Sequence, residues 1–141
     1  MILSGNDVRQ YLKFGNLKFT PELMDSQFQQ NGIDLILSDC EKQINNFYLG
    51  VTREFIEMPN DLMAFVQIRS SYARKGFILP PSVVDAGFKG TLTIELIRCG
   101  MTEIKEIIGK RFIHLIFAKL ASPSEPYNGK YQGQKDITKA Y

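Results

Sequence analysis

Arg69, Ser70, Ser71, Arg74 and Lys75 crowd into the single run RSSYARK. Guanidinium forks and hydroxyls at that density are the donors a phosphate group needs. Asp85 follows, just ahead of an Ala86-Gly87 turn, and a carboxylate held there could take a proton from an attacking water. Glu95 comes ten positions later in the alternating stretch TLTIEL, on the face of Thr91 and Thr93 and opposite Leu92, Ile94 and Leu96. Each group also has a plain structural use. Two arginines around two serines make a solvated turn, an aspartate caps the turn after it, and a strand glutamate commonly faces solvent. His114, between Ile113 and Leu115, reads first as a histidine satisfied within a strand.

The elements that must position these groups are mostly short strands. Leu62–Ile68, Phe77–Leu79, Val83–Val84 and Thr91–Ile97 carry extended patterns, punctuated by Met58-Pro59-Asn60-Asp61, by Pro80-Pro81 and by glycine turns. Ile33–Leu37 reads as a brief strand and Ile44–Val51 as another. Both alternating faces of Arg111–Phe117 are apolar, which predicts a strand covered on both sides. One helix leads the chain: Ser4 as N-cap and Asp7 as the acid of a capping box precede Val8, Tyr11, Leu12 and Phe14 at helical spacing, and Gly15-Asn16 ends it. The pattern predicts a mainly β fold, a barrel or jelly-roll sandwich with one short N-terminal helix.

The bulk numbers exclude several classes. The 141 residues suffice for one ordinary domain. Seventeen basic against fifteen acidic residues leave +2, too little bias to argue for nucleic acid or a membrane surface as partner. No apolar run reaches membrane-span length, and MILSGNDVRQ lacks the layout of a signal peptide. Cys40 and Cys99 form no CxxC and read as reduced, buried thiols of a cytoplasmic protein. The zinc nucleoside deaminase signature, H-x-E with P-C-x-x-C, is absent.

RSSYARKGF, VVDAGFKGTLTIEL, GKRFIHLIF and YNGKYQGQ, in this order, resemble successive motifs of the dCTP deaminase and dUTPase superfamily, and QQNGIDLIL and EFIEMPNDLMAFV extend the match upstream. PPSVVDAGFKGTLTIEL is similar to the archaeal, deaminase-like dUTPases. The resemblance implies a distorted β-barrel or jelly roll (residues 1–121) with a flexible tail (residues 122–141) closing over the phosphates. It implies a homotrimer with sites at subunit interfaces, a deoxynucleoside triphosphate as ligand, and Mg²⁺ carried by the nucleotide. Arg69, Ser70 and Ser71 would hold the triphosphate, Asp85 the deoxyribose and the attacking water, and Val84, Phe88 and Thr93 of the hairpin the pyrimidine. Tyr127, Lys130 and Gln134 would belong to the tail. The implied reaction is hydrolysis of dUTP to dUMP and pyrophosphate. Ser70, Arg74 and Glu95 stand at the positions that serve metal-free dCTP deamination, the alternative, alone or beside dUTP hydrolysis; a catalytically inactive nucleotide-sensing trimer is a further one. Pro81-Ser82 replaces an alanine usual in the deaminases, and His114 replaces the family's glutamine.

Overall fold

The chain opens with a helix and continues almost entirely as strand and turn; a computed structural model describes residues 1–140. Helix α1 (Gly5–Lys13) is followed by β1 (Lys18–Thr20), β2 (Phe28–Gln29), β3 (Gly32–Ile44), β4 (Phe47–Glu57) and β5 (Leu62–Ile68). Then come a four-residue helix α2 (Ser70–Ala73), β6 (Phe77–Ile78), β7 (Ser82–Val84), β8 (Lys89–Arg98) and β9 (Arg111–Lys119). Hydrogen-bonded strands run in the order β6-β8-β4-β3-β9-β5-β7, with β1 added beside β4 and β2 beside β3. The pairings are antiparallel. The sheet curls into a half-barrel, the mainly β architecture with one leading helix that the sequence predicts.

One strand turns the corner. β3 pairs with β9 through Ile33–Ile36 and with β4 through Leu37–Ile44, and its register shifts after Leu35 and again after Leu37. Bulges bend and twist a strand, so β3 can serve both halves of the barrel. The bend leaves ladder groups without strand partners, and a buried carboxylate satisfies one of them. Glu54, fully buried, accepts from Ile36 N–H at 3.1 Å and from Gln27 Nε2 at 2.7 Å, with Arg53 Nη2 at 3.3 Å. Thr52 Oγ1 fills the matching gap on β4, accepting from Leu92 N–H at 2.9 Å and donating to Glu54 C=O at 3.0 Å.

Apolar residues at alternating strand positions fill the interior: Ile33, Leu35, Leu37, Ile113, Leu115 and Phe117 are fully enclosed. Helix α1 closes one end, its capping box formed as expected, with Ser4 N–H on Asp7 at 2.9 Å and Asp7 N–H on Ser4 Oγ at 3.1 Å. Tyr11 Oη donates to Asp61 at 3.0 Å; burial, and then this carboxylate, push its phenol pKa up.

Several expectations change. Phe14 is the C-cap of α1 and 70% exposed, because the helical stripe ends at Leu12. β3 runs well past Leu37 to Ile44, which is therefore its last residue, and the second strand begins at Phe47; Asn45-Asn46 form the turn between them. β9 is covered fully on one face only. Phe112 on the other face is buried under Tyr72 and Phe77, at ring distances of 5.0 and 5.7 Å, while His114 and Ile116 are half-covered.

Cys99 is exposed, contrary to the expectation of two buried thiols, since it lies just beyond β8. Cys40 is half-buried, and burial, with Asp39 and Glu41 alongside, pushes its thiol up to about 12. A maleimide at pH 7 is therefore expected to label Cys99 in the folded protein and both cysteines only after unfolding. The folded state favours the neutral Cys40 thiol, so this group's contribution to stability is lost as pH rises from about 9 towards 12. Labelling followed by mass spectrometry checks the first point and denaturant titrations at alkaline pH the second.

Candidate functional site

β7 delivers Asp85 to the rim of a cavity, and a tight turn then reverses the chain into β8. Phe88 N–H closes the turn on Asp85 C=O at 3.1 Å. Gly87 at its apex has φ +77°, and a Cβ there would lie 2.5 Å from Pro126 Cα, so both the backbone and the crossing tail require glycine. Asp85 is exposed, and no hydrogen bond of its carboxylate is formed among the described residues. Along β8, Thr93 and Glu95 share one face, as the alternation predicts, and both are half-buried.

The cavity measures about 450 Å³. Asp85, Phe88, Thr93, Glu95, Tyr127 and Gln134 line it, with Val84, Leu92 and Val66 among its apolar walls. Apolar walls with a few convergent polar groups suit a ring-bearing small molecule. Glu95 is thus a cavity residue rather than one facing open solvent.

The tail is laid along β8 on the side away from β4. Thr91 N–H donates to Gln134 C=O at 2.8 Å, and the Gln134 side-chain amide donates back to Thr91 C=O at 2.8 Å. Gly133 N–H reaches Lys89 C=O at 2.7 Å, Lys89 N–H donates to Gln132 Oε1 at 2.7 Å, and Tyr127 N–H bonds Ala86 C=O at 2.9 Å. The Phe88 and Tyr127 rings meet edge-on at 5.6 Å. Gln134 Oε1 is buried without a hydrogen-bond partner, an acceptor left beside the cavity.

Arg69, Ser70, Ser71 and Arg74 do not line this cavity, and neither does Lys130. Ser70 and Ser71 begin α2 and are exposed, and Arg74 is its exposed C-cap. Arg69 is anchored instead. Its Nε lies 3.1 Å from Asp34 Oδ2, and Nη1 donates to Arg111 C=O at 3.1 Å. Asp34 is almost wholly buried; Arg111 Nη1 stands 3.6 Å from Oδ2, and His114 Nδ1 is hydrogen-bonded to Oδ1 at 2.9 Å. Oδ2 meets its arginines without hydrogen-bond alignment, so charge attraction holds it.

Sequence reasoning missed Asp34, although an ionisable residue inside the apolar run Ile33–Leu37 was a signal for a buried partner. It also missed Gln43 and Phe47 from the β3–β4 turn region and Thr138–Ala140 from the tail, which complete the cavity wall. Only three-dimensional folding brings those segments to β8. Thr138 N–H bonds Thr93 Oγ1 at 3.1 Å.

Among the described residues no three His, Cys, Asp or Glu side chains are grouped to hold a metal ion. The residues present therefore do not form a protein cage for Mg²⁺. No described helix is long and apolar enough to cross a membrane.

Comparison with known proteins fits this geometry. The family model described as dCTP deaminase-like matches residues 42–120. The chain is 42% identical to the probable deoxyuridine 5'-triphosphate nucleotidohydrolase of Sulfolobus islandicus rod-shaped virus 1, covering 99% of this chain and 98% of that one. It is also 42% identical to a dCTP deaminase of Sulfurisphaera tokodaii, covering 98% and 91%. In structure it is similar to the 2'-deoxycytidine 5'-triphosphate deaminase of Agrobacterium tumefaciens, with a TM-score of 0.67 at 17% identity. That match covers 85% of this chain and 48% of the other, so the chain spans about half that enzyme's length. The family model and the sequence relatives agree, and the chain belongs to the dCTP deaminase-like family.

Proposed function

We propose that the chain hydrolyses dUTP to dUMP and pyrophosphate, acting as a cytoplasmic homotrimer on a nucleotide that brings its own Mg²⁺. The observation that carries this reading is Asp85, an exposed carboxylate that makes no hydrogen bond among the described residues, on the rim of a cavity sized for a base and sugar. Asp85 accepts a proton from water. The water oxygen attacks the α-phosphorus, and the bond to the bridging oxygen breaks as pyrophosphate leaves. The β8 hairpin, with Val84, Phe88 and Thr93, receives the pyrimidine. Tyr127, Lys130 and Gln134 belong to a tail that closes the site over the nucleotide.

Two features support assembly. Within one chain the cavity lining includes one cation, Lys139, while the Arg69–Ser71 donors stand outside it; a triphosphate needs more positive charge than that. A neighbouring copy would supply Arg69, Ser70 and Ser71. Phe65 and Val83, paired in register on β5 and β7, are 38% and 49% exposed, an apolar edge that a second copy would cover.

Deamination of dCTP is the second reading, favoured by one observation: Glu95 lines the same cavity. There water would attack C4 of cytosine and ammonia would leave, with Glu95 moving the protons and Ser70 and Arg74 arriving from a neighbour. Incubation with dUTP and dCTP separately, following pyrophosphate and ammonia, tests the choice. Pyrophosphate from dUTP without ammonia from dCTP is expected; ammonia from dCTP overturns the preference. Glu95→Gln is expected to change dUTP turnover less than tenfold. A loss of about 10²-fold or more would put Glu95 in the chemical step.

A further inference from the structure

His114 shares a buried carboxylate with Arg69, and the hydrolytic step leaves it unused. Asp34 and His114 are register partners on β3 and β9. Asp34 is 1% exposed and His114 20%. The imidazole meets Asp34 of β3, whose carboxylate also holds Arg69, from beyond the end of β5, and Arg111, on the histidine's own strand, while the register partner of His114 on β5 is the neutral Gln67. With Asp34 as the carboxylate that its two arginines favour, Oδ1 accepts in the 2.9 Å bond and His114 Nδ1 donates. In a neutral ring Nε2 is then an acceptor, and no hydrogen bond of Nε2 is formed among the described residues. Ring and guanidinium stand side by side on the two oxygens of one carboxylate.

This has a consequence for an anionic ligand. A neutral imidazole would turn a lone pair towards phosphate oxygens beside Arg69. A protonated one offers them an N–H, keeps its bond to Asp34, and is stabilised by that carboxylate. We infer that nucleotide binding at Arg69 is coupled to uptake of one proton by His114, which makes triphosphate affinity pH-dependent. This rests on the reading that Arg69 contacts the triphosphate. A ligand that prefers the protonated form binds more weakly as pH rises. Glutamine, which the resemblance gives as usual at this position, is a permanent donor and takes no proton.

The test is calorimetric binding of the α,β-imido analogue of dUTP with Mg²⁺, at pH 6, 7 and 8 and in two buffers of different ionisation enthalpy. For the unaltered protein Kd is expected to rise about tenfold from pH 6 to pH 8, with net proton uptake at pH 7. His114→Gln is expected to bind at every pH with a flatter profile and less proton uptake. The ligand's own phosphate titration is common to both proteins and cancels. His114→Asn, whose amide overlays Nδ1, serves the same purpose should the glutamine variant be unstable. Equal slopes and equal proton uptake in the unaltered and substituted proteins would overturn the inference. Arg69→Lys, measured in parallel, keeps a cation beside Asp34 but loses the fork. About tenfold weaker binding is expected; unchanged binding would remove Arg69 from the phosphate site, and the proton coupling with it.

Discussion

Asp85→Asn is expected to lower kcat for dUTP by about 10²–10⁴-fold while leaving KM within about threefold. Asparagine keeps the size and planarity of the side chain and removes only its capacity to accept the water's proton. Asp85 is exposed and its carboxylate makes no hydrogen bond among the described residues, so the substitution removes no native contact of that group. Exposed substitutions of this sort usually shift stability by no more than about 0.5 kcal/mol. A variant that melts like the parent, binds nucleotide and does not turn it over separates the chemical role from a turn-capping one. An unchanged kcat would leave Asp85 as a turn residue.

The largest expected effect on stability lies at the corner of β3. Glu54→Ala is expected to destabilise the fold by about 3–5 kcal/mol, the usual consequence of removing one partner from a buried charged network. Three groups lose a bond together: Ile36 N–H loses its side-chain acceptor, the Gln27 amide is left with Asp34 C=O, and the Arg53 guanidinium with Gln27 Oε1. Glu54 and Gln27 are fully enclosed, so bulk water does not reach the donors left behind. Glu54→Gln keeps an acceptor for Ile36 N–H but opposes an amide N–H to the Gln27 donor, and a smaller loss, about 1–3 kcal/mol, is expected. Urea titrations of both variants check the order. An alanine variant within 1 kcal/mol of the parent would show that the bulge finds other partners.

Local rules reach some elements and not others. β5 runs from Leu62 to Ile68, the bounds its apolar alternation predicts, because its inner face is buried and its outer face is not. β3 outruns its predicted end because Ser38, Asp39, Glu41 and Lys42 are exposed. Pairing with β4, not hydrophobic burial, keeps that half extended. The helical turn at Ser70–Ala73 has no side-chain cap, and its Tyr72 packs on Phe112, a contact no local signal announces.

The site divides in the same way. Asp85, Phe88, Thr93 and Glu95 sit within one hairpin, so their meeting follows from strand alternation and one glycine turn. Tyr127 and Gln134 join them through backbone hydrogen bonds to Ala86 and Thr91, which side-chain patterns do not encode. Arg69 is tied to Asp34, a distant residue, by charge and burial. Only a long-range pairing of β3, β9 and β5 could reveal that its fork is already partly engaged.

The most direct measurement of the proposed chemistry is a single turnover of dUTP in ¹⁸O-labelled water, with mass analysis of both products. Attack at the α-phosphorus predicts one ¹⁸O in the phosphate of dUMP and none in pyrophosphate. Label in pyrophosphate would move the attack to the β-phosphorus and away from Asp85. No turnover of dUTP, with ¹⁸O at C4 of the uracil ring formed in a parallel incubation with dCTP, would contradict the hydrolase reading and put Glu95 at the reacting atom.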